Sequence, residues 1–216
     1  MDLKSLLNQA LNSDIVRQGQ AQVKNSSSSS SLKSLGAGAV GGGLVSLLMG
    51  SKKSKKLGKK LGKNTLKVGG VAVLGALAYK VYNDYQGKQA PTGSTESFNA
   101  QDDYHSELIL KAMIAAAKAD GHVDQQEMDH IETTLQQSGA DNALQQLVYT
   151  ELNKPLDPAD IARLARSPQQ ASEIYLASLI VIDEQNFMEK AYLKELAKQL
   201  RLDSEVTYQL EHQLQN

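Results

Sequence analysis

The chain has 216 residues, enough for one large domain or for a smaller domain with appendages. It contains no cysteine, which excludes a disulfide framework, thiol chemistry and any cysteine-ligated metal site. The formal net charge of -1 hides an asymmetry. Residues 1–100 hold 14 Lys and Arg against 4 Asp and Glu (+10), whereas residues 101–216 hold 9 against 20 (-11). The basic half suits anionic lipid or nucleic acid, and the acidic half could attract cations.

Residues 1–34 form an amphipathic segment followed by a linker. Leucines at positions 3, 6, 7 and 11 repeat at helical spacing, which predicts a short helix at the N-terminus. A secretory signal is not expected, because no basic cluster precedes an apolar run with a cleavage site. Six serines at 26–31 then mark low-complexity sequence that cannot bury enough apolar area to order itself.

Residues 35–85 contain two glycine-rich apolar stretches, 35–50 (LGAGAVGGGLVSLLMG) and 68–79 (VGGVAVLGALAY), separated by a lysine-rich loop. Both stretches are shorter than the roughly 20 apolar residues of a spanning helix. Small residues at four-residue spacing, as at Gly42 and Ser46, are nevertheless typical of helices that pack closely in a bilayer. Tyrosines after the second stretch suit an interfacial belt, and the lysines suit anionic headgroups.

These features predict a membrane-inserted hairpin or a single span that contacts membrane lipid and self-associates through its glycine-rich helices. The alternative is a glycine-rich linker with a solvated charge run. A nucleic-acid partner is not expected, because no aromatic residue is interleaved with the lysines. The lysine-rich loop favours the cytoplasmic side, but the side of the C-terminal half stays open.

Residues 86–101 are polar and lack an apolar period, which predicts a linker. Residues 102–216 predict an all-α bundle of about seven helices, because apolar residues recur at helical spacing between recognisable start signals. The first helix is expected over 103–119, and the sixth is expected to turn Phe187, Leu193 and Leu196 inward. The later starts are expected at Asp124, Asp141, Asp157-Pro158, Ser167-Pro168, Asn186 and Asp203.

An internal repeat places an acidic turn and an amphipathic helix after each of two apolar helices. Asp124 with Glu127, and Asn186 with Glu189, have the spacing of a capping box, which explains these residues structurally. The functional interpretation is a divalent-cation site, since carboxylates converging around a turn suit Ca²⁺ or Mg²⁺. Its candidate ligands are Asp120, Asp124, Glu127, Asp183 and Glu189.

Other metal or catalytic chemistry is not expected. Glu127 and His130 form an E-x-x-H pair, but a di-iron bundle needs a second pair, and its place in the second repeat is taken by Tyr192. His105, His122 and His212 are expected to be solvated. No nucleophile–base pair, phosphate-binding loop or cofactor motif is apparent, so we expect a protein that is not an enzyme and has no cofactor.

The segment ADGHVDQQE, residues 119–127, resembles the signature of tellurite-resistance TerB-like domains, and YLKELAKQLRLD, residues 192–203, resembles their second half. With its polyserine, glycine-rich and lysine-rich segments, the chain also resembles the YebE-type inner-membrane family of unknown function. The resemblance implies a TerB-like bundle at the bacterial inner membrane, and a divalent cation at paired acidic motifs. The second motif departs from the pattern, because Asp183-Glu184 lacks the following glycine and is one residue closer to its Glu.

The resulting hypothesis is an inner-membrane-anchored, non-enzymatic interaction or stress-response module with an unidentified protein partner. The alternative hypothesis is a divalent-cation binder or sensor that uses the acidic turn from Asp120 to Glu127.

Overall fold

The computed structural model describes residues 63–89, 99, 102–121, 123, 125–137, 140–182 and 186–215. This part of the chain is helical and contains no strand, which confirms the all-α prediction. A single 3₁₀ turn, Lys118–Asp120, follows α2. The α-helices are α1 (Lys63–Gln89), α2 (Asp103–Ala117), α3 (Gln125–Gln137), α4 (Asn142–Asn153), α5 (Pro158–Ala162), α6 (Pro168–Val181), α7 (Phe187–Gln199) and α8 (Ser204–Gln215).

The helices of the C-terminal half begin at the predicted signals. Asp141 caps α4 by accepting a hydrogen bond from the Leu144 N–H at 2.9 Å, and Ser167 caps α6. Pro158 and Pro168 occupy the first turns of α5 and α6, where a missing N–H leaves no hydrogen bond unmade. Seven of the eight described α-helices, α2 to α8, therefore correspond to the predicted set.

Helix α6 is the centre of the bundle. All of its residues from Gln169 to Val181 are buried, because α6 packs against α1 and α2 and also contacts α5, α7 and α8. A helix that is apolar nearly all round suits only such a central position. A second, smaller core joins α2, α3 and α4 through Ile114, Ile131 and Leu144.

The second glycine-rich stretch lies in helix α1 and packs against the bundle. Leu74, Leu77 and Ala78 are at most 1% exposed and pack in the same core as α6. The second half of this stretch, residues 74–79, therefore packs within the protein core, and α1 contacts α6 there. Within the described ranges, no helix combines the length and hydrophobicity that crossing a bilayer requires, so the expected span is not found there.

A buried polar cluster joins α1, α2 and α6. His105 Nδ1 lies 2.8 Å from Glu173 Oε2, and the two residues are only 5% and 1% exposed. The ring of Tyr79 meets His105 edge to face, with centroids 5.5 Å apart, and Gln169 donates to Asn83 at 3.2 Å. The expectation that His105 is solvated was wrong, because α1 and α6 cover the first turn of α2.

Several predicted features lie outside the described residues. These are the N-terminal amphipathic helix and serine-rich linker at 1–34, the first glycine-rich stretch, the lysine-rich loop up to residue 62, and most of the 86–101 linker. The expected self-association through glycine-rich helices involves the first of these stretches and stays a prediction.

Candidate functional site

The first acidic turn is built at the end of α2. The chain tightens into the 3₁₀ turn, and Gly121 closes it by donating its N–H to the Lys118 carbonyl at 3.1 Å. Gly121 has a φ of 130°, a conformation that a residue with a Cβ rarely adopts. The preceding carboxylate, Asp120, is thereby placed on the surface, where it is exposed.

The amphipathic helix of the second repeat is α7, which packs against this 3₁₀ turn. Asn186 caps α7 and accepts hydrogen bonds from the N–H groups of Met188 at 2.9 Å and Glu189 at 3.4 Å. A Cβ added at Gly121 would lie 4.0 Å from the Met188 Cε. The turn of the first repeat and the helix start of the second are therefore neighbours in space.

The predicted cation ligands are only partly placed. Asp120 is exposed on its turn, while Glu189 is 3% exposed on the inner face of α7. Glu127 lies on α3, but its side chain is outside the description, as are Asp124 and Asp183 entirely. The described side chains contain no group of three or more His, Asp or Glu that could hold a metal ion. The five-residue cation site stays a prediction.

The side chains that stand out at this turn are Phe187 and Met188, which are 83% and 53% exposed. The prediction that Phe187 faces inward was wrong. Counting back from buried Leu193 by one helical turn reaches Glu189, which is buried instead, so Phe187 belongs to the opposite face. Helical periodicity alone could have found this arrangement. We call Phe187 and Met188 the apolar knob.

The apolar knob lies at the start of α7, next to the first acidic turn, and this turn leads into an acidic part of the chain. Residues 119–153 contain seven Asp and Glu and no Lys or Arg. Desolvation, together with a hydrogen bond to Glu132 and the negative charges of Glu132 and Asp129, raises the pKa of the Tyr149 phenol. The Tyr149 phenol on α4 thus lies close to the carboxylates of Asp129 and Glu132 on α3.

Lys118 ties this acidic part to the end of α2. Its Nζ donates to the Glu151 carbonyl at 2.9 Å and to the Lys154 carbonyl, both at the C-terminal end of α4. Burial, with the nearby charge of Lys154, lowers the pKa of the Lys118 amine against the opposing effect of Glu151. A cation at a helix C-terminus is stabilising, so Lys118 fixes α4 relative to the 3₁₀ turn.

This arrangement offers a contact surface. An exposed aromatic side chain beside an exposed Met is the type of apolar surface that proteins bury when they associate.

Comparison with known proteins places the chain in a family. A protein from Yersinia enterocolitica, described as "Uncharacterized protein in ampR 5'region", is 33% identical over 104 residues, which cover 48% of this chain and 75% of the relative. No solved structure matches. The family model described as "Protein of unknown function (DUF533)" matches residues 34–214. The chain therefore belongs to the DUF533 family of proteins of unknown function.

Proposed function

We propose that this protein is a non-enzymatic interaction module of the bacterial inner membrane. Its apolar knob binds a partner protein that presents an apolar pocket rimmed by Lys or Arg. The observation that carries the proposal is the 83% exposure of Phe187 at the start of α7, a helix that packs against the 3₁₀ turn. This turn leads into a 35-residue segment, 119–153, with seven carboxylates and no basic residue. Charge complementarity identifies the chemistry of the rim, and the size of Phe and Met identifies the pocket.

The energy available at the knob is large enough to matter. Burying a Phe side chain fully contributes about 1.5–3 kcal/mol, which corresponds to roughly 10- to 150-fold in affinity. Aromatic residues at the centre of an interface often contribute most of its binding energy. A carboxylate on the adjoining turn, as at exposed Asp120, mainly accelerates association with a basic rim and disfavours an acidic one.

We assign membrane attachment to residues 35–62, since Leu74, Leu77 and Ala78 of α1 pack within the helical domain. The uncharged first glycine-rich stretch and the following lysines support attachment to anionic lipid. A chain lacking residues 35–62 is expected in the soluble fraction after lysis, and the full chain in the membrane fraction. Release of the full chain by mild salt would contradict insertion.

The TerB-like bundle and a role in stress response are part of the same proposal. The motif at residues 119–127 supports the first, and its observed position at a surface turn fits a motif used for contacts. A YebE-type assignment is supported by the order of the low-complexity, glycine-rich, lysine-rich and helical segments.

The partner is identified by placing a photo-activated crosslinking residue at position 187 of the full chain in cells. Position 208 is the matched control, because Tyr208 is also exposed, at 60%, on a different helix. The partner captured only from position 187 is then purified, and its dissociation constant is measured against wild type, Phe187→Ser and Tyr208→Ser. We expect about tenfold or greater weakening for Phe187→Ser alone, and weaker binding at high salt.

Two outcomes would overturn the interaction hypothesis. One is a purified partner that binds Phe187→Ser and wild type equally. The other is a contact surface on the partner that lacks basic residues around an apolar pocket. Both substitutions lie at exposed positions, so their effect on folding is expected to stay within about 0.5 kcal/mol.

A divalent cation at the acidic turn is the second candidate function. The observation that favours it is the packing of α7 against the 3₁₀ turn, which brings the first acidic turn next to the helix of the second repeat. Calorimetry with Ca²⁺, Mg²⁺ and Mn²⁺ on the full chain is the test, with Asp120→Asn as the matched variant. The hypothesis is wrong if the wild type shows no heat of binding and no shift in its unfolding temperature with any of the three cations.

A further inference from the structure

A groove of about 760 Å³ lies on another part of the bundle. Its walls are the C-terminal half of α1, the connection from α5 to α6, and the connection from α7 to α8. The volume falls within the roughly 300–1,000 Å³ of sites that hold small ligands. Because Phe187 and Lys198 lie at opposite ends of α7, ~17 Å apart along its axis, the groove is distinct from the apolar knob.

Positive charge is concentrated in this groove. Residues 101–216 contain nine Lys and Arg, and four of these line the groove, against a single lining carboxylate, Asp203. The four are Arg163, Arg166, Lys198 and Arg201. The domain is otherwise acidic, so the clustering marks a local reversal of potential.

The lining carboxylate is already engaged. Asp203 Oδ1 accepts a hydrogen bond from the Glu205 N–H at 2.9 Å and so caps α8. This bond, with a further hydrogen bond from Tyr85, holds the pKa of Asp203 below its usual range. The Asp203 carboxylate thus accepts hydrogen bonds from its own helix and from Tyr85.

Two of the four cations have exposed partners. Arg163 pairs with Asp160 one helical turn away, and Lys198 lies 3.6 Å from Glu195. Exposed ion pairs of this kind contribute little, so a ligand of higher charge can replace the carboxylates.

The other two cations lack a carboxylate partner among the residues that the structure describes. The guanidinium of Arg166 lies 3.9 Å from the centroid of the Tyr104 ring, a stacking contact that holds it without neutralising it. Arg201 is exposed at the C-terminal end of α7. Both guanidinium groups are therefore available for an anion.

Arg201 occupies a position that favours glycine. Its φ is 53°, and its N–H donates to the Lys198 carbonyl at 3.1 Å, while the next N–H, of Leu202, donates to the Ala197 carbonyl at 3.2 Å. This is the Schellman ending of a helix, in which the left-handed residue is usually glycine. A long cationic side chain therefore occupies a position whose backbone conformation suits glycine better.

We propose that this groove binds a phosphate group of a ligand. The planar guanidinium groups of Arg166 and Arg201 match the geometry of phosphate oxygens, and Lys198 and Arg163 add charge. Tyr82 and Tyr85, whose ring centroids are 6.2 Å apart, form the aromatic wall against which the remainder of the ligand packs. A soluble phosphate compound and a phospholipid headgroup share this chemistry.

The test is calorimetric titration of the full chain with inorganic pyrophosphate at constant ionic strength. Arg201→Gly and Arg166→Gln are each expected to weaken binding by about tenfold or more, the loss typical of a charge-assisted hydrogen bond. Lys190→Gln is the matched control, because Lys190 is exposed on α7 but does not line the groove. Arg201→Gly is also expected to retain or raise the unfolding temperature, which separates loss of binding from loss of folding.

A second arm distinguishes the two sources of phosphate. Phosphatidylcholine vesicles are compared with vesicles that contain phosphatidylglycerol in equal amount. Weaker binding of Arg201→Gly than of wild type to the anionic vesicles identifies a lipid headgroup. Equal vesicle binding, with pyrophosphate binding lost, identifies a soluble ligand. The proposal is overturned if wild type shows neither pyrophosphate heat nor Arg201-dependent vesicle binding, or if Lys190→Gln weakens pyrophosphate binding as much as Arg201→Gly.

Discussion

Replacing His105 by Leu tests the buried polar cluster between α2 and α6. His105 and Glu173 are 5% and 1% exposed, and their facing atoms are 2.8 Å apart. A hydrogen bond between two groups so well shielded from water is strong, but the desolvation of both groups offsets much of its free energy. Removing His105 alone leaves the Glu173 carboxylate buried without its imidazole partner, which costs about 3–5 kcal/mol.

This loss corresponds to a fall of roughly 10–20 °C in the unfolding temperature for a domain of this size. Replacing both residues by Leu removes the carboxylate together with the imidazole. The free energy of unfolding of the double variant is therefore expected to lie within about 1–2 kcal/mol of the wild-type value. The assay is urea unfolding of the wild type, His105→Leu, Glu173→Leu and the double variant. This double-mutant cycle is expected to give a coupling free energy of about 2–3 kcal/mol. Additive effects, or a His105→Leu variant as stable as wild type, would refute the reasoning.

Two further substitutions test the packing of α1 and the start of α7. Leu77→Ala is expected to lower the free energy of unfolding by about 2–5 kcal/mol, because Leu77 is 1% exposed, whereas Asp84→Ala on the same helix should have little effect. Equal urea midpoints for these two variants would mean that α1 does not belong to the core. Asn186→Ala is expected to cost about 1 kcal/mol, because it leaves the Met188 N–H without its acceptor. Thermal unfolding measures this loss, and an unchanged midpoint would show that the cap is dispensable.

The starts of the helices in the C-terminal half depend on local capping residues, which can be recognised in the sequence. Caps such as Asp141 and Ser167 act on N–H groups within three residues, so their effect does not depend on the rest of the fold. The same holds for the apolar period that identifies α6 as buried. The helices that pack against α6 could not be predicted in this way. A helix that is apolar on all sides has no polar face to show which side meets which neighbour.

The position of α1 depends on contacts that are distant in sequence. A stretch of Gly, Ala, Val and Leu permits close helix packing both in a bilayer and in a protein core, so its composition alone could not decide between them. The hydrogen bond between Asn83 and Gln169, which are 86 residues apart, helps to hold α1 against α6. His105 was misjudged for the same reason, since its burial is produced by α1 and α6 and not by its own helix.

The candidate site was predicted in part. Sequence comparison of the two repeats identified the acidic turn and the Asn186 cap, and the structure places the turn next to the start of α7. The groove was missed because its four cations come from two connections that are about 35 residues apart in the chain. Only the fold brings Arg166 and Arg201 to one surface.

Whether α1 is an integral helix of the bundle is tested most directly by thiol labelling, since the chain contains no cysteine. Single cysteines are introduced in place of Ala78 and Ala177, which are both 0% exposed, and of Gly87, where a Cβ would meet no atom within 4 Å. In the full chain titrated with urea, Ala78→Cys and Ala177→Cys are expected to become reactive at the same free energy of opening, while Gly87→Cys reacts without denaturant. Reaction of Ala78→Cys at a lower urea concentration than Ala177→Cys, or at the rate of Gly87→Cys, would contradict the placement of α1 in the core.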